Sequence, residues 1–456
     1  MVFARLQCHH FALMFRQRGH VLRVLSYMLS AIAMVSSAWR RCVALALACL
    51  LCADVTAQFA RPAFEFEPSR LAADVVPRPL LRSPHYQVQD SVEVRDYTYV
   101  FRVNSEFGAF ETQSLALLRI RLREIATLAQ AVNAFQRTNS KLGARLRGTL
   151  NVRGNNFADI LTSPFSTAGS LAGQLVSNAS ETLGASGAQR SARAGVSGRG
   201  RRAAGGDPIL EAHRRTVASQ LGLDVYSRNP RVQEFLDAVA RAREGGRPGA
   251  AGIAMVRTPQ APSQPIAGGR IDAQIENVVR RLSAREVDEA VMEELLGMGL
   301  ESGAVQRFIG NQALSPRHRL TIVAHLDFLG KLPGRSLLVA VAAGARSEAE
   351  SLAIQELTRM YARYHESVAP LKAFREIGGW PTAASAAGWV MCVPVDLLHW
   401  HDKTERLGKA LAEASSGTAP KPPVVMVAGE VTQAASRGLR HVGVDVRAGF
   451  MHHKVQ

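Results

Sequence analysis

Cysteine is almost absent from most of this chain. Four of the five cysteines lie within residues 1–57, namely Cys8, Cys42, Cys49 and Cys52. Only Cys392 lies beyond that segment, so the rest of the chain can form no internal disulfide and must be held together by its core. The apolar neighbours Met391 and Val393 predict that Cys392 is a small buried hydrophobe and not a nucleophile.

The familiar sequence signatures of catalysis are missing as well. Beyond residue 57 the chain has no GxSxG, P-loop, HExxH or EF-hand pattern. It also has no apolar run of the about 20 residues that a membrane-spanning helix needs. The sequence therefore indicates no cofactor, no metal ligand set and no transmembrane helix in the mature chain, and it leans away from an enzyme.

What the chain does have, near its beginning, is the three-part pattern of a secretory signal. Arg40-Arg41 form a basic patch, residues 42–52 are an unbroken apolar run, and Val55-Thr56-Ala57 offers the small residues that a signal peptidase recognises. We predict cleavage between Ala57 and Gln58. The mature protein is then expected in the periplasm or outside the cell.

The stretch before this signal is longer than an export leader needs. A signal normally begins a few residues before its apolar core, whereas residues 1–33 add a second, histidine- and arginine-rich stretch in front of it. We therefore expect translation to start at Met28 or Met34. The alternative is one unusually long basic region preceding the same apolar run.

The chain is strongly basic, with 55 Lys and Arg against 38 Asp and Glu and a net charge of +17. Removal of residues 1–57 takes away six Arg and one Asp and leaves a charge of +12. In an exported protein this surplus does not indicate nucleic acid, and the candidate partner is an anionic envelope surface. The alternative explanation is solubility together with a GC-rich genome that favours Arg and Ala.

The remaining patterns predict an α+β, mainly helical protein with an N-terminal β-hairpin plus helix, a helical body and a small C-terminal α/β unit. The predicted segments are an export signal at 1–57, an extended arm at 58–90, a hairpin-plus-helix unit at 91–185, an Arg/Gly/Ser linker at 186–206, a helical hairpin at 207–245, a second linker at 246–269, a helical body at 270–415 and the α/β unit at 416–456.

Residue spacing supports the first unit. Tyr97, Tyr99, Phe101 and Val103 alternate as expected for a half-buried strand, and Asn104-Ser105-Glu106 is typical of a turn. The following helix carries one apolar stripe, formed by Leu115, Leu118, Leu122, Ile125, Ala129 and Val132.

Start and stop signals support the helices and strands that follow. Ser283 with Glu286 and Ser347 with Glu350 have the spacing of capping boxes. Strands are predicted at residues 388–394, 423–429 and 442–446, with helices at 396–414 and 430–439 between them. Short helical crossovers of this kind predict parallel pairing.

Three groups of residues together carry a resemblance. They are Ser105-Glu106-Phe107-Gly108 before the Leu115 helix, Leu221-Gly222-Leu223-Asp224 with Tyr226 and Asn229-Pro230, and Pro394-Val395-Asp396 with Trp400. The chain resembles a group of exported proteobacterial proteins without an assigned activity, over most of residues 80–450. The resemblance implies export and this order of segments, and it implies no mechanism.

One polar cluster could carry chemistry, namely Asp396, His399 and His401, with Asp402 beside them. On the predicted helix from 396 to 414, the two histidines of the H-x-H pattern would point about 200° apart. That geometry weakens a metal site and favours Asp396 as the cap of its own helix. A hydrolase or metal-dependent enzyme that uses residues 396–402 remains an alternative function.

A second set of candidate residues is the arginine-rich linker. Its basic residues are Arg190, Arg193, Arg199, Arg201 and Arg202. They predict either a solvated tether or, with the small-residue stretch from 163 onward, a binder of anionic membrane surfaces through residues 163–202. The leading hypothesis from the whole sequence is a non-enzymatic binding or structural protein of the cell envelope.

Overall fold

The computed structural model describes residues 63–66, 69–150, 207–244, 269–416 and 421–451. The predicted signal with Ala57 and Gln58, and the arginine-rich segment 186–206, lie outside the described residues. The described residues confirm the predicted mainly helical α+β class. Among them, no helix is both long enough and apolar enough to cross a membrane.

An antiparallel sheet forms the N-terminal part. Its strands are β1 (Arg70–Leu71), β2 (Arg82–Ser83), β3 (Tyr86–Val88), β4 (Ser91–Arg95), β5 (Thr98–Ser105) and β6 (Gly108–Gln113). The central strand β5 pairs with β6 along one edge, and with β4 and then β3 along the other. The predicted hairpin is confirmed, except that Tyr97 lies in the turn before β5, with a φ of 68°.

The segment predicted as an extended arm is more ordered than its proline content indicated. Between β1 and β2 lie two single-turn helices, α1 (Ala72–Val75) and α2 (Arg78–Leu81). Pro77 and Pro79 flank the start of α2, where a missing N–H costs nothing because the first N–H groups of a helix have no partner within it. The extended interpretation is therefore wrong for residues 69–90.

The first core, called here the N-terminal core, gathers on the buried face of this sheet. It receives Tyr99, Phe101 and Val103 from β5, and the predicted apolar stripe of α3 (Leu115–Thr138) packs on it. Further helices complete this core, namely α4 (Ser140–Leu150), α5 (Pro208–Leu221), α6 (Pro230–Glu244) and α7 (Gly269–Arg281). The helical hairpin α5–α6 thus belongs to the same core as the sheet.

A buried carboxylate of α3 binds the connection between α5 and α6. The Glu124 carboxylate accepts hydrogen bonds from the Ser227 hydroxyl, from Asn229 Nδ2 at 3.0 Å and from Arg121 at 2.9 Å. Arg121 also pairs with Glu348 at the start of the longest helix of the next core. Every oxygen of the buried Glu124 carboxylate is satisfied, as a buried charge requires.

The second core, called here the C-terminal core, begins with a stack of helices. These are α8 (Ala284–Gly297), α9 (Ser302–Gly310), α10 (Pro316–Phe328), α11 (Ser336–Ala343) and α12 (Glu348–Ser367). The capping box of Ser283 and Glu286 is confirmed. At α12 the Ser347 hydroxyl accepts the Glu350 N–H as predicted, while the Glu350 carboxylate accepts the N–H of Arg346.

A mixed five-stranded sheet covers this helical stack. Its strands are β7 (Leu371–Ile377), β8 (Trp380–Ser385), β9 (Gly388–Val393), β11 (Val424–Val427) and β13 (Asp445–Arg447), in the order β13-β11-β9-β8-β7. The predicted parallel pairing of β9 with β11 and of β11 with β13 is confirmed. The sheet begins at residue 371, whereas the α/β unit was predicted from residue 416.

The segment after β9 also differs from the prediction. Leu397–Leu398 forms a short strand, β10, which pairs in parallel with β12 (Glu430–Val431). The following helix α13 (Asp402–Ser415) starts six residues later than predicted, and His401 is its N-cap. The last helix is α14 (Gln433–His441). The extended start is stabilised by tertiary contacts, because Leu397 N–H donates to the Tyr97 carbonyl at 3.0 Å.

Trp400 anchors this irregular segment. The fully buried indole lies against α14, and the Trp400 N–H donates to the Glu65 carboxylate at 2.6 Å. Glu65 N–H donates in return to the Trp400 carbonyl at 2.8 Å. The helix can approach the indole only because residue 438 is glycine, where a Cβ would lie 2.4 Å from ring atoms.

We therefore predict that Gly438→Ala destabilises the protein by about 1–3 kcal/mol, the usual range for overpacking a core. The matched control is Gly297→Ala, also in a helix, where a Cβ meets nothing within 4 Å. Its effect should be neutral or stabilising by up to about 1 kcal/mol. Urea unfolding of both variants measures the difference, and equal effects would contradict the tight contact with Trp400.

Candidate functional site

A cleft of about 860 Å³ opens at the carboxyl ends of β9, β11 and β13. The loops that follow these three strands form its floor, through Asp396, Gly429, Glu430 and Gly449. Ligands of open α/β sheets bind outside the carboxyl ends of parallel strands, because the loops there are free to vary while the strands hold them in place.

Two long helices and the segment before β2 form the walls. The N-terminal half of α3 contributes Leu115 and Ile120, and α12 contributes Leu352. Val76 and Met451 add further apolar surface, and both are buried. The cleft is thus lined by side chains from both cores, with apolar walls and a small number of charged groups, the usual make-up of a small-molecule site.

Asp396 is the best-connected polar group of the floor. Its carboxylate accepts hydrogen bonds from Tyr99 N–H at 3.0 Å and from Leu115 N–H at 3.2 Å. It therefore caps α3 from another part of the chain, and the prediction that it caps its own helix is wrong. Burial raises the pKa of this carboxyl from 3.8 to about 6, against the lowering effect of the two N–H groups and of Arg119.

The loop that carries Asp396 is held by its neighbour loop. Gly429 N–H donates to the Val395 carbonyl at 3.0 Å, and Glu430 N–H donates to the Asp396 carbonyl at 2.8 Å. A Cβ at residue 429 would lie 2.1 Å from the Asp396 carbonyl oxygen, so only glycine permits this approach. The backbone of Asp396 is consequently fixed on both sides.

Arg119 extends from α3 into the same cleft. Its guanidinium makes no hydrogen bond and no ion pair within 4 Å to any part of the chain that the structure describes, although Asp396 and Glu356 act on it electrostatically. Burial lowers the pKa of this guanidinium. A half-buried arginine without an acceptor in the described part of the protein keeps its five donors available to a ligand or to water.

The opposite wall carries a chain of three charged residues that pair with one another. Glu356 of α12 lies 3.5 Å from Arg359, and Arg359 lies 3.2 Å from Asp272 of α7. Burial raises the pKa of Glu356, and Arg359 opposes that rise. Arg359 is thus engaged within the protein, which distinguishes it from Arg119.

A buried hydroxyl completes the polar set. Tyr99 is only 2% exposed and lines the cleft, and its hydroxyl has no hydrogen-bond partner among the described residues. Burial raises the pKa of this phenol, with Glu430 and Asp396 adding to the rise. Buried hydroxyls are normally hydrogen-bonded, so an unpartnered one beside a cleft marks a place for a ligand acceptor or a water.

The two histidines predicted to accompany Asp396 do not line the cleft. His399 is buried against the Tyr97 ring, with centroids 4.5 Å apart, and His401 caps α13 by accepting the Lys403 N–H. No group of three or more His, Cys, Asp or Glu in the described ranges is arranged to hold a metal ion. The structure therefore separates Asp396 from His399 and His401.

The remaining predicted candidates are the arginines of the linker and Cys392. Arg190, Arg193, Arg199, Arg201 and Arg202 lie outside the described residues. Cys392 is fully buried in β9, as predicted, and burial raises the pKa of its thiol well above its usual range. Its reactivity is correspondingly low.

The sequence interpretation missed Arg119, Glu356 and Glu430. A usable signal was present for Glu430, since it follows a strand already predicted to be parallel, and the ends of parallel strands meet at one edge. Nothing in the local sequence distinguishes Arg119 from the other arginines of α3. Its role depends on contacts between elements distant in the chain.

We predict that Asp396→Asn changes how stability depends on pH. Because the pKa of Asp396 is higher in the folded protein, the folded state loses stability as pH rises from 3.8 to about 6. Asp396→Asn lacks this titration and should not lose stability over this pH interval. As pH rises from 3.8 to about 6, the free energy of unfolding of the variant, relative to that of wild type, should therefore increase by up to about 3 kcal/mol.

Denaturant unfolding at several pH values measures this difference. The control is Ser114→Ala, which removes the other cap of α3 but no titrating group. Its cost of about 1 kcal/mol should be the same at every pH. A difference between Asp396→Asn and wild type that does not vary with pH would contradict the raised pKa.

Comparison with known proteins adds no relative from which a function could be transferred. No protein-family model matches the chain, and no curated protein and no solved structure is detectably similar to it.

Proposed function

We propose that this chain is an exported, non-enzymatic binding protein and that the cleft at the ends of β9, β11 and β13 holds a small molecule. The observation that carries the proposal is the cleft itself. Its volume of about 860 Å³ lies within the range of about 300–1,000 Å³ that small-molecule sites occupy. Its floor is built from strand-end loops, which is the usual place for ligands in such sheets.

The polar groups of the cleft favour binding of a specific ligand over a cleft that holds only water. Asp396 is fixed by two backbone N–H groups, so it presents a defined position to any ligand. Arg119 and the Tyr99 hydroxyl both have unused hydrogen-bonding capacity among the described residues. A few convergent polar groups on apolar walls are what orient a ligand in a protein site.

Export is supported by the sequence pattern ahead of Gln58 and by the resemblance to exported proteobacterial proteins. The described residues from 63 onward belong to one compact unit, and the proposed cleavage site precedes them in the sequence. Glu65, soon after that site, is hydrogen-bonded to Trp400 and to the Thr432 hydroxyl. Cleavage after Ala57 would leave these contacts intact.

An acid–base enzyme is the second candidate function. One observation favours it: a carboxyl with a pKa raised to about 6 lies in a cleft, which is a common property of catalytic acids and bases. The histidines that the sequence offered as its partners lie elsewhere. Binding is the stronger proposal because the polar groups of the cleft are explained by ligand contacts alone.

Export is tested by expressing the protein from Met34 in a bacterial host and fractionating the cells. The periplasm or medium should contain a product whose N-terminal residue is Gln58 or an immediate neighbour, because the signal is removed during translocation. Arg40→Glu with Arg41→Glu should retain the product inside. An extracytoplasmic product that still carries Arg40 would contradict the proposal.

Binding in the cleft is tested with N-phenyl-1-naphthylamine, an uncharged dye that becomes fluorescent in apolar surroundings. We expect saturable binding, and we expect Ala116→Trp to abolish it, because Ala116 is exposed and lines the cleft. The matched control is Ala212→Trp, at an exposed alanine of α5 outside the cleft. Equal binding by both variants, or none by wild type, would contradict a small-molecule site here.

A further inference from the structure

We infer that the ligand of the cleft is a small organic anion with an apolar body, and that its anionic group binds to Arg119. The inference rests on the proposed function, since it requires that the cleft holds a ligand at all. It adds the chemical class of that ligand and the residue that recognises it.

Two arginines of helix α3 have contrasting environments. Arg121 is fully engaged, with Glu124 at 2.9 Å and with Glu348. Arg119 faces the cleft and has neither a hydrogen bond nor a close ion pair in the described ranges. The planar guanidinium presents donors in the fork geometry that carboxylates and phosphates accept. The anionic group of a ligand would accept hydrogen bonds from these donors.

The carboxyls near Arg119 do not already neutralise it. Neither Asp396 nor Glu356 lies within ion-pair distance of its guanidinium, and burial raises the pKa of both carboxyls. Asp396 accepts two backbone N–H groups and Glu356 pairs with Arg359, so the charge of each carboxyl is engaged by partners other than Arg119. Arg123 lines the same wall of α3 and adds to the positive field.

The Tyr99 hydroxyl supports the same ligand chemistry. It is a buried hydroxyl without a partner among the described residues, and Glu430 and Asp396 of the cleft floor act on it electrostatically. The oxygens of a carboxylate, phosphate or sulfonate are strong acceptors, so they could satisfy both this hydroxyl and the donors of Arg119. A ligand cation could donate to the hydroxyl, but Arg119 would repel it and the donors of Arg119 would stay unsatisfied.

The apolar walls define the rest of the ligand. Leu115, Ile120, Leu352, Val76 and Met451 line the cleft around the charged groups. An apolar body placed against them would be removed from water, which contributes affinity in proportion to the area buried. An inorganic ion would use Arg119 but none of this surface.

The test compares two dyes of nearly identical shape. The first is the uncharged N-phenyl-1-naphthylamine, and the second is its 8-sulfonate, which adds one anionic group. Wild-type protein should bind the sulfonate about tenfold more tightly, the usual effect of a hydrogen bond to a charged group.

Variants of Arg119 assign that preference to one side chain. Arg119→Met should remove the preference for the sulfonate, measured as the ratio of the affinities of the two dyes for the same variant. Arg119→Lys, which retains the charge but not the fork, should restore part of it. The control is Arg145→Met, at an exposed arginine of α4 outside the cleft, which should change neither affinity.

Displacement of the uncharged dye separates the kinds of anion. Octanoate, octyl phosphate and 1-octanol share one alkyl chain and differ in the head group. The first two should displace the dye at lower concentration than the alcohol, and the stronger of them identifies a carboxylate or a phosphate ligand. Equal displacement by all three would overturn the role of the anionic group.

A pH profile provides a readout that a merely structural arginine would not produce. The charged side chains lining the cleft around Asp396 are Arg119 and Arg123 of α3, Glu356 and Arg359 of α12, Glu430 after β11, and Asp74 and Arg78 before β2. Affinity for the sulfonate should rise as pH falls through about 6, where Asp396 takes up a proton. Asp396→Asn should weaken that dependence.

The outcomes separate the two proposals. If the uncharged dye does not bind, the proposed function fails. If it binds and Ala116→Trp blocks it, yet the sulfonate gains nothing or Arg119→Met retains the gain, only the inference about an anion is overturned. Thermal unfolding of each variant confirms that the fold is intact, as expected for an arginine without hydrogen bonds in the described ranges.

Discussion

The carboxylate of Asp396 is the contact on which the arrangement of the two cores depends. It extends from the end of β9 in one core and accepts N–H groups from β5 and α3 of the other. The Leu115 N–H would otherwise be unsatisfied, since the first N–H groups of a helix have no partner within it. Together with the Ser114 cap and the Arg121–Glu348 pair, this side chain fixes where α3 begins and how far it stands from the parallel strands. The width of the cleft follows from that distance.

The same contact leaves a local conflict. A partly buried carboxyl is destabilised by its loss of solvent, and Arg119, the nearest cation on α3, does not come close enough to pair with it. A sequence selected for stability alone would close this gap with a direct ion pair or replace both groups with apolar ones. Unresolved conflicts of this type concentrate at functional sites, where a ligand completes the arrangement.

The sequence predicts elements well where local pattern and burial agree. The stripe of α3, the cap of α8 and the parallel strands β9, β11 and β13 are confirmed. It failed for β7 and β8, because a bulge near Ala373 breaks the alternation of the first strand. The Gly378-Gly379 pair between them, with positive φ at both residues, is a hairpin signal that the sequence interpretation missed. The prediction also failed for the start of α13, where contacts with Tyr97 and Glu65 keep the chain extended.

The site was harder to predict than the fold, because the chain has many arginines and its composition does not distinguish the one that lines the cleft. The basic surplus pointed to the arginine-rich linker, yet within the described residues the informative arginine is Arg119, in an ordinary helix. Arg119 and Arg121 are two residues apart, so they point about 200° from one another around α3. One direction leads to Glu124 and Glu348, where the charge is structural, and the other leads into the cleft. Identical residues thus acquire different roles from the elements that α3 meets, and that information is tertiary.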